Sequence, residues 1–337
     1  MGENETEPAR RGRVGVRDVA RAAGVSAQTV SRVLNEHASI RPETRARVLA
    51  AMAELGYRIN NAARTLGTRE TRTLGVIASD ATLYGPSVGI AALEAAAREA
   101  GRWTATAYAD AADPESVVSA ADRLLAQGVD GLVALAPHAA SLAALEHAVA
   151  GTPLVALHAG RGTDRQRAGM ALAVEHLVAL GHRRIARVAG PADWLEAVAR
   201  DEGAEHALRA AGIADGPRWS GDWSAAAGAR LANEVAVAAR DGRGPTAVVV
   251  ANDQMALGLV AGLRGEGVEV PRDISVTGFD DNPDAAFYAP ALTTVRVDLP
   301  GEARRAVAVV RGGTEPPVAA PVLVVRDSTA PPPHPLS

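Results

Sequence analysis

The chain comprises 337 residues, 47% of them hydrophobic and 3% aromatic, and carries a formal net charge of −4. That length suits two or three domains whose cores rest on alanine, valine and leucine. The absence of cysteine excludes disulfides, thiolate metal sites and cysteine nucleophiles, and no run approaches the ~18 apolar residues that a membrane helix needs. Charge is unevenly spread: between Ala9 and Arg72, thirteen arginines stand against five acidic residues. A basic segment joined to an acidic remainder suits a phosphate-binding head on a larger body.

Residues 1–13, MGENETEPARRGR, read as a disordered basic arm, and without an apolar h-region no secretory signal is expected. Apolar residues then recur at Val16, Val19, Ala20 and Ala23, one face of a first helix. Gly24 supplies a turn of positive φ, and Ser26 stands where the N-cap of a second helix belongs. Val30, Val33 and Leu34 give that helix a buried face, leaving Ala27, Gln28, Thr29, Ser31 and Arg32 outward. Such a pair is a DNA-binding helix-turn-helix or an ordinary helical hairpin, and the shape alone does not choose between them. After a loop at His37–Ile40, Pro42 opens a third helix that presents Val48, Leu49, Met52 and Leu55 as the lid of a small core. Residues 58–72 are polar and arginine-rich, with too little apolar surface to fold alone, which reads as a plain linker or a hinge.

From Thr73 the pattern changes to short apolar runs alternating with helical stretches. Strands are expected at Thr73–Ala78, Trp103–Ala107, Gly131–Ala136, Pro153–His158, Ile185–Ala189, Thr246–Ala251 and Ile274–Gly278. Helices are expected at Val88–Ala100, Glu115–Gln127, Ala168–Leu180, Leu195–Ala211, Ser224–Arg240 and Gln254–Gly265. This alternation implies parallel sheets with helices on both faces, in two successive doubly wound sets. Ligands of such folds bind outside the carboxyl ends of the strands. No strand is followed by GxGxxG or GxxxxGKS/T, no serine sits in a GxSxG elbow, and the eight histidines show no metal-ligand pairing. No enzyme activity, cofactor or metal is therefore expected.

The stretches Asp18-Val19-Ala20, Ala23-Gly24-Val25-Ser26 and Thr29-Val30-Ser31-Arg32-Val33-Leu34-Asn35 resemble the headpiece of the LacI/GalR family of bacterial repressors. The likeness continues through Val174–His182 (VEHLVALGH), Gly221–Ala225 (GDWSA), Val250–Gly258 (VANDQMALG), Asp273–Asp281 (DISVTGFDD) and Val324–Pro331 (VVRDSTAP). It implies a small all-α helix-turn-helix head at 14–57, a hinge at 58–72, and an effector-binding and dimerisation body at 73–337. That body would be an α/β, periplasmic-binding-protein-like pair of doubly wound parallel-sheet subdomains, with crossover strands near 155–165 and 290–300. In the head, Ala27, Gln28 and Arg32 would face base edges in the major groove, where arginine pairs with guanine and glutamine with adenine. Ser26, Thr29, Ser31 and Asn35 would bond phosphates and fix register. Asn60, Ala63, Arg64 and Leu66 would form a minor-groove hinge helix with Leu66 as its wedge.

A sugar shows hydroxyls at its rim and a weakly apolar face, so it wants amides, carboxylates and guanidinium groups at the edge and an aromatic platform below. The resemblance carries Arg200, Trp223, Asn252 and Asp280 onto effector-contact positions, and Trp194, Tyr84, Ser87 and His158 are further effector-binding candidates, Trp194 as a second stacking platform. Each also has a structural reading: Asn252 as a helix cap, Asp280-Asp281 as a turn before Pro283, Arg200 as an exposed helix residue and Trp223 as core. The sequence departs from the family at five places. Ile59 replaces the usual hinge proline, His158 an aspartate, and Val297 a glutamine; the interval from His158 to Val174 is short, and so is the helix at Glu302–Arg311.

The expectation is a sequence-specific transcriptional regulator, a repressor of sugar-utilisation genes released by a sugar bound between the subdomains. It would act as a homodimer on a near-palindromic double-stranded DNA operator, in the cytoplasm and on the bacterial nucleoid, without membrane contact. A purine, phosphosugar or protein co-effector is the alternative within the class, and a sugar-binding transport protein the alternative outside it. The final residues, TAPPPHPLS, hold no apolar heptads, so no tetramerising coil is expected.

Overall fold

The computed structural model describes residues 14–34, 37, 39–57, 70–79, 82–135, 138–240 and 243–333. Its chain divides into two units, residues 1–71 and 72–337.

In the first unit, α1 (Val16–Ala23) ends where Gly24 turns left-handed at φ 63°, and α2 (Ala27–Leu34) follows. The Val25 N–H returns to the Ala20 carbonyl at 3.0 Å, closing the helix end. Ser26 Oγ accepts the Thr29 N–H at 3.1 Å, the cap that the sequence called for. The third helix, α3 (Pro42–Glu54), starts on its proline. Val19, Ala20, Ala23, Val30, Val33, Val48, Ala51 and Met52 form the core. Leu49 does not belong to the expected lid: it is 51% exposed. On a helix of 3.6 residues per turn, Val48 and Met52 share a face and Leu49 lies about 100° away from it.

The second unit contains two four-stranded parallel sheets. The first is ordered β2-β1-β3-β4, from β1 (Thr73–Ala78), β2 (Trp103–Tyr108), β3 (Gly131–Ala134) and β4 (Leu154–Ala156). The second is ordered β6-β5-β7-β8, from β5 (Ile185–Ala189), β6 (Arg218–Ser220), β7 (Ala247–Val250) and β8 (Ser275–Thr277). Strand alternation sends Leu74, Val76 and Ala78 to one face of the first sheet, where they pack with Leu93 and Ala97 of α4 (Tyr84–Glu99). Ile77 goes to the other face, with Val117 and Leu124 of α5 (Pro114–Ala126) and Leu145 of α6 (Ala139–Ala148). The second sheet is covered likewise. Met170, Val174 and Leu177 of α7 (Arg161–Ala179) and Leu208 of α8 (Leu195–Ala210) lie on one side. Val235 of α9 (Ala225–Arg240) and Leu259 and Leu263 of α10 (Asp253–Gly265) lie on the other. Burial on both faces explains why the inner strands β1, β3, β5 and β7 read as largely apolar runs.

The chain then crosses back. An antiparallel pair, β9 (Thr294–Arg296) and β10 (Val322–Val324), flanks α11 (Leu299–Val310), whose Ala303, Ala306 and Val307 join the core of the first sheet. The crossover strand expected near 155–165 is not formed. β4 stops at Ala156, residues 157–160 turn, and α7 begins at Arg161. His158 at φ 64° and Gly160 at φ 55° break the extended backbone there. The second crossing does contain a strand, β9, within 290–300. Helix α11 starts a turn earlier than Glu302, because the Asp298 side chain caps the Gly301 N–H at 2.8 Å.

Candidate functional site

On α2, Ala27, Gln28, Ser31 and Arg32 are exposed along one side of the helix, opposite the buried Val30 and Val33. Thr29 is half-buried, and its Oγ1 lies 2.9 Å from Ser26 Oγ, so those two hydroxyls are bonded to each other at the helix start. The four exposed side chains form a short polar face of the size that a major groove admits. Asn35 and the hinge residues Asn60, Ala63, Arg64 and Leu66 lie outside the described residues.

In the second unit a cleft opens where the carboxyl ends of both parallel sheets face each other. Leu83, Gly85, Pro86, Leu135 and His158 line it from the first sheet's side; Trp194, Glu196, Arg200, Trp223, Asn252, Gln254 and Asp280 line it from the second. Every strand end of the second sheet contributes through the loop or helix that follows. The wall residues thus come from segments more than a hundred positions apart, brought together by the doubly wound topology.

Arg200 organises this wall. Its Nε donates to Gln166 Oε1 at 2.8 Å, its Nη1 to the Ala251 carbonyl at 2.6 Å, and its Nη2 pairs with Asp280 Oδ1 at 3.1 Å. The guanidinium also lies 3.9 Å from the Phe279 ring centroid and 5.5 Å from that of Trp223. Arg200 is therefore not an exposed helix residue: three of its five N–H donors are engaged by the protein. Gln166, buried on α7, carries the network onward: its Nε2 meets His158 Nδ1 at 3.1 Å. Since the Gln166 oxygen is taken by arginine, its amide hydrogens face the histidine, so Nδ1 accepts and the imidazole proton sits on Nε2. Burial, with the charges of Arg200 and Arg305 adding to it, lowers the His158 pKa to about 3 and keeps the ring neutral.

Asn252 is committed in a similar way. Its Oδ1 accepts the Met255 N–H at 2.9 Å as the cap of α10, and its Nδ2 donates to the Trp223 carbonyl at 3.0 Å. The capping reading of Asn252 is what the geometry displays, and the same bond ties the helix to the Trp223 loop. Trp223 is buried and has φ 74°; its ring lies over Gly190, where a Cβ would fall 2.4 Å from the indole. Trp194 meets it edge-on at 5.8 Å. Asp280, at φ 110°, is anchored by its N–H to the Val295 carbonyl, and Asp281, at φ 49°, is held by Arg296 and Arg326. Left-handed backbone is tolerated best by glycine, asparagine and aspartate, so this loop is held in place by its salt bridges.

Two further contacts span the cleft. The Tyr84 N–H donates to Gln254 Oε1 at 3.1 Å, and His138 Nδ1 pairs with Asp193 Oδ2 at 3.0 Å beside a His138–Trp194 backbone bridge. The Tyr84 side chain does not line the cleft. Burial, then the nearby Asp280 and Asp253, push its phenol up to about 12. Ser87 is exposed and outside the lining.

Sequence reasoning passed over Glu196, Gln166 and Leu135. Glu196 is 6% exposed, and burial pushes its carboxyl up to about 7 against the pull of Arg200. Its spacing from Arg200, four residues on one helix, was the available signal: if one faces the cleft, so does the other.

Comparison with known proteins then gives two family matches. Residues 16–60 match the model for bacterial regulatory proteins of the lacI family, and residues 174–329 match the model for periplasmic binding protein-like domains. The lactose operon repressor of Escherichia coli (strain K12) is 38% identical over 289 residues, covering 84% of this chain and 79% of that protein. The solved lac repressor dimer bound to operator and the anti-inducer ONPF superposes with a TM-score of 0.80 at 35% identity, covering 94% of this chain and 99% of that one. A transcriptional regulator CelR–cellobiose complex superposes with a TM-score of 0.65 at 29% identity, covering 94% and 100%.

Proposed function

Because this chain belongs to the lacI family of bacterial regulatory proteins, and is a DNA-binding transcriptional regulator, we propose that its cleft takes a sugar whose binding releases operator DNA. The observation that carries the proposal is the cleft's make-up. Two tryptophans, the carboxyls of Glu196 and Asp280 and a neutral imidazole line one cleft, anchored by the Arg200 network. A polyol ring needs an apolar platform and mixed donors and acceptors at its edge. The ligands named for the superposed CelR and lac repressor structures, cellobiose and ONPF, support the same class.

A phosphosugar or nucleotide fits less well. Among the described residues, Arg200 is the only arginine in the lining, three of its five N–H donors are already engaged, and Asp280 pairs with its charge.

On this reading residues 14–57 are the reading head, 58–72 the hinge, and 73–337 the effector-binding and dimerisation body. Two copies pair to place two heads on a near-palindromic site, as the lac repressor dimer does on its operator. Gln28 and Arg32 read bases, with Ala27 against the groove; Ser26, Thr29, Ser31 and Asn35 hold phosphates; Asn60, Ala63, Arg64 and Leu66 act in the minor groove. The chain works as a regulator and not as an enzyme, in the cytoplasm on chromosomal DNA. Ligand that favours one arrangement of the two subdomains over another shifts operator affinity by the linkage between sites, ~1–3 kcal/mol.

The test is selection of bound genomic fragments by the purified chain, followed by gel shift on the winning site with a panel of mono- and disaccharides. A near-palindrome released by one sugar is the expected result. If no sugar alters either operator affinity or tryptophan emission, the sugar reading falls and the DNA-binding assignment stands.

A further inference from the structure

Glu196 is an ionisable group of the cleft lining that the protein answers only in part, by its own backbone N–H and the charge of Arg200. It stands in the first turn of α8, is 6% exposed and lines the cleft, yet its Oε2 has no hydrogen-bond partner. Arg200, one turn along the same helix, gives its nitrogens to Gln166, Ala251 and Asp280 instead. The remaining ionisable groups of the lining cancel or are uncharged. Arg200 balances Asp280, and His158 is neutral across the physiological range. Ionised Glu196 therefore leaves the cleft one negative charge in excess.

A buried carboxylate without a counter-ion is strongly disfavoured, and is answered either by protonation or by a cation brought to it. A ligand bearing phosphate or carboxylate would set like charge against it. Trp194 and Trp223 line the same chamber, and aromatic faces attract cations.

We infer that the effector bears a protonated amine that pairs with Glu196, making it an amino sugar and not a neutral hexose. This rests on the reading of the cleft as a sugar site. Burial holds the Glu196 carboxyl near 7, with Arg200 and Asp280 the charges that act on it, so at pH 6 the empty cleft keeps it largely protonated. An ammonium group draws that proton off, so binding at pH 6 releases roughly one proton per ligand.

The test is isothermal titration of the full chain at pH 6 in two buffers of different ionisation enthalpy. The probes are glucosamine, galactosamine and mannosamine, each against its parent hexose. The expected result is one amine that binds about tenfold or more tightly than its parent and releases roughly one proton. Glu196→Gln, which keeps shape and removes charge, is expected to abolish both the preference and the proton release. Because the preference is a ratio measured on one protein, partial unfolding of the variant does not mimic its loss. A parent hexose that binds as tightly as its amine, or a preference that survives Glu196→Gln, overturns the inference and leaves the sugar reading intact. If neither class binds while the chain still shifts operator DNA, the inference falls, and the sugar reading is decided by the wider panel of mono- and disaccharides.

Discussion

Replacing Arg200 by methionine separates a structural hub from a ligand contact. The side chain is 8% exposed and its partner Asp280 13%. Methionine fills most of the volume but leaves the Gln166 oxygen and the Ala251 carbonyl without their donors and the Asp280 carboxylate without its counter-ion. Breaking a buried ion pair from one side costs ~3–5 kcal/mol, and the orphaned neutral acceptors fall within that figure where cleft water reaches them. The loss depends on pH. Burial already raises the Asp280 pKa, with Arg200 holding it down, and without the arginine it rises further. A carboxyl whose folded pKa exceeds its unfolded one binds more protons folded than unfolded, so stability falls as pH rises through that window. The Arg200→Met penalty should therefore be larger at pH 8 than at pH 5. All four tryptophans lie beyond residue 100, so their emission during urea unfolding reports on the second unit alone. The double variant Arg200→Met with Asp280→Asn should recover at least ~1 kcal/mol relative to the summed single losses. A penalty below ~1 kcal/mol, equal at both pH values, would refute the hub and return Arg200 to the role of a solvated ligand contact.

Four further outcomes are expected. Arg32→Ala should relax base preference at one position per half-site at a cost of ~1–3 kcal/mol; uniform weakening across a randomised library would make it a phosphate contact instead. Ser26→Ala removes the acceptor of the Thr29 N–H and should cost the head ~1 kcal/mol by far-ultraviolet melting, unless the Thr29 hydroxyl takes over the cap. Gly258→Ala would place a Cβ 1.7 Å from the Ala225 carbonyl between α10 and α9, and should cost ~3 kcal/mol or more; a loss under ~1 kcal/mol would mean that the pair separates freely. His158 has a folded pKa near 3 against 6.5 for the free side chain, so the unfolded chain takes the extra proton and stability is lost as pH falls between those values. Replacement by glutamine should flatten this acid slope by on the order of 3 kcal/mol, and an unchanged slope in urea midpoints at pH 4, 5 and 7 would exonerate His158.

Much of the fold was legible in the sequence because it is written locally. The turn at Gly24, the cap at Ser26 and the apolar faces of α1 and α2 need only neighbours a few residues apart, and double-sided burial gives the inner strands β1, β3, β5 and β7 largely apolar runs. What went unread lacked such a signal. Helix α6 is alanine-rich without a sharp apolar stripe, β6 is a three-residue edge strand with exposed ends, and the turn at His158–Gly160 rests on two left-handed residues of which one is not glycine. In the cleft, the chemistry of Arg200 was legible as a fork of donors, but its targets were not. Gln166 and the Ala251 carbonyl reach it through tertiary packing, which no spacing in the sequence announces.

That same distinction separates the groups that hold the cleft from the groups that choose its ligand. Arg200, Gln166 and the Asn252 cap spend their hydrogen bonds within the protein, so a substitution there is felt first as lost stability. Among the described lining residues, Glu196 Oε2 and Trp223 Nε1 are buried without hydrogen-bond partners. Leu135, which has no polar atom at all, faces them from the opposite sheet. A change at Glu196 or Leu135 removes none of the hydrogen bonds by which Arg200, Gln166 and Asn252 hold the wall. On the inference drawn above, the carboxyl at 196 is the wall group that selects the charge of the ligand, and Glu196→Gln would change that selection without removing a bond of the Arg200 network.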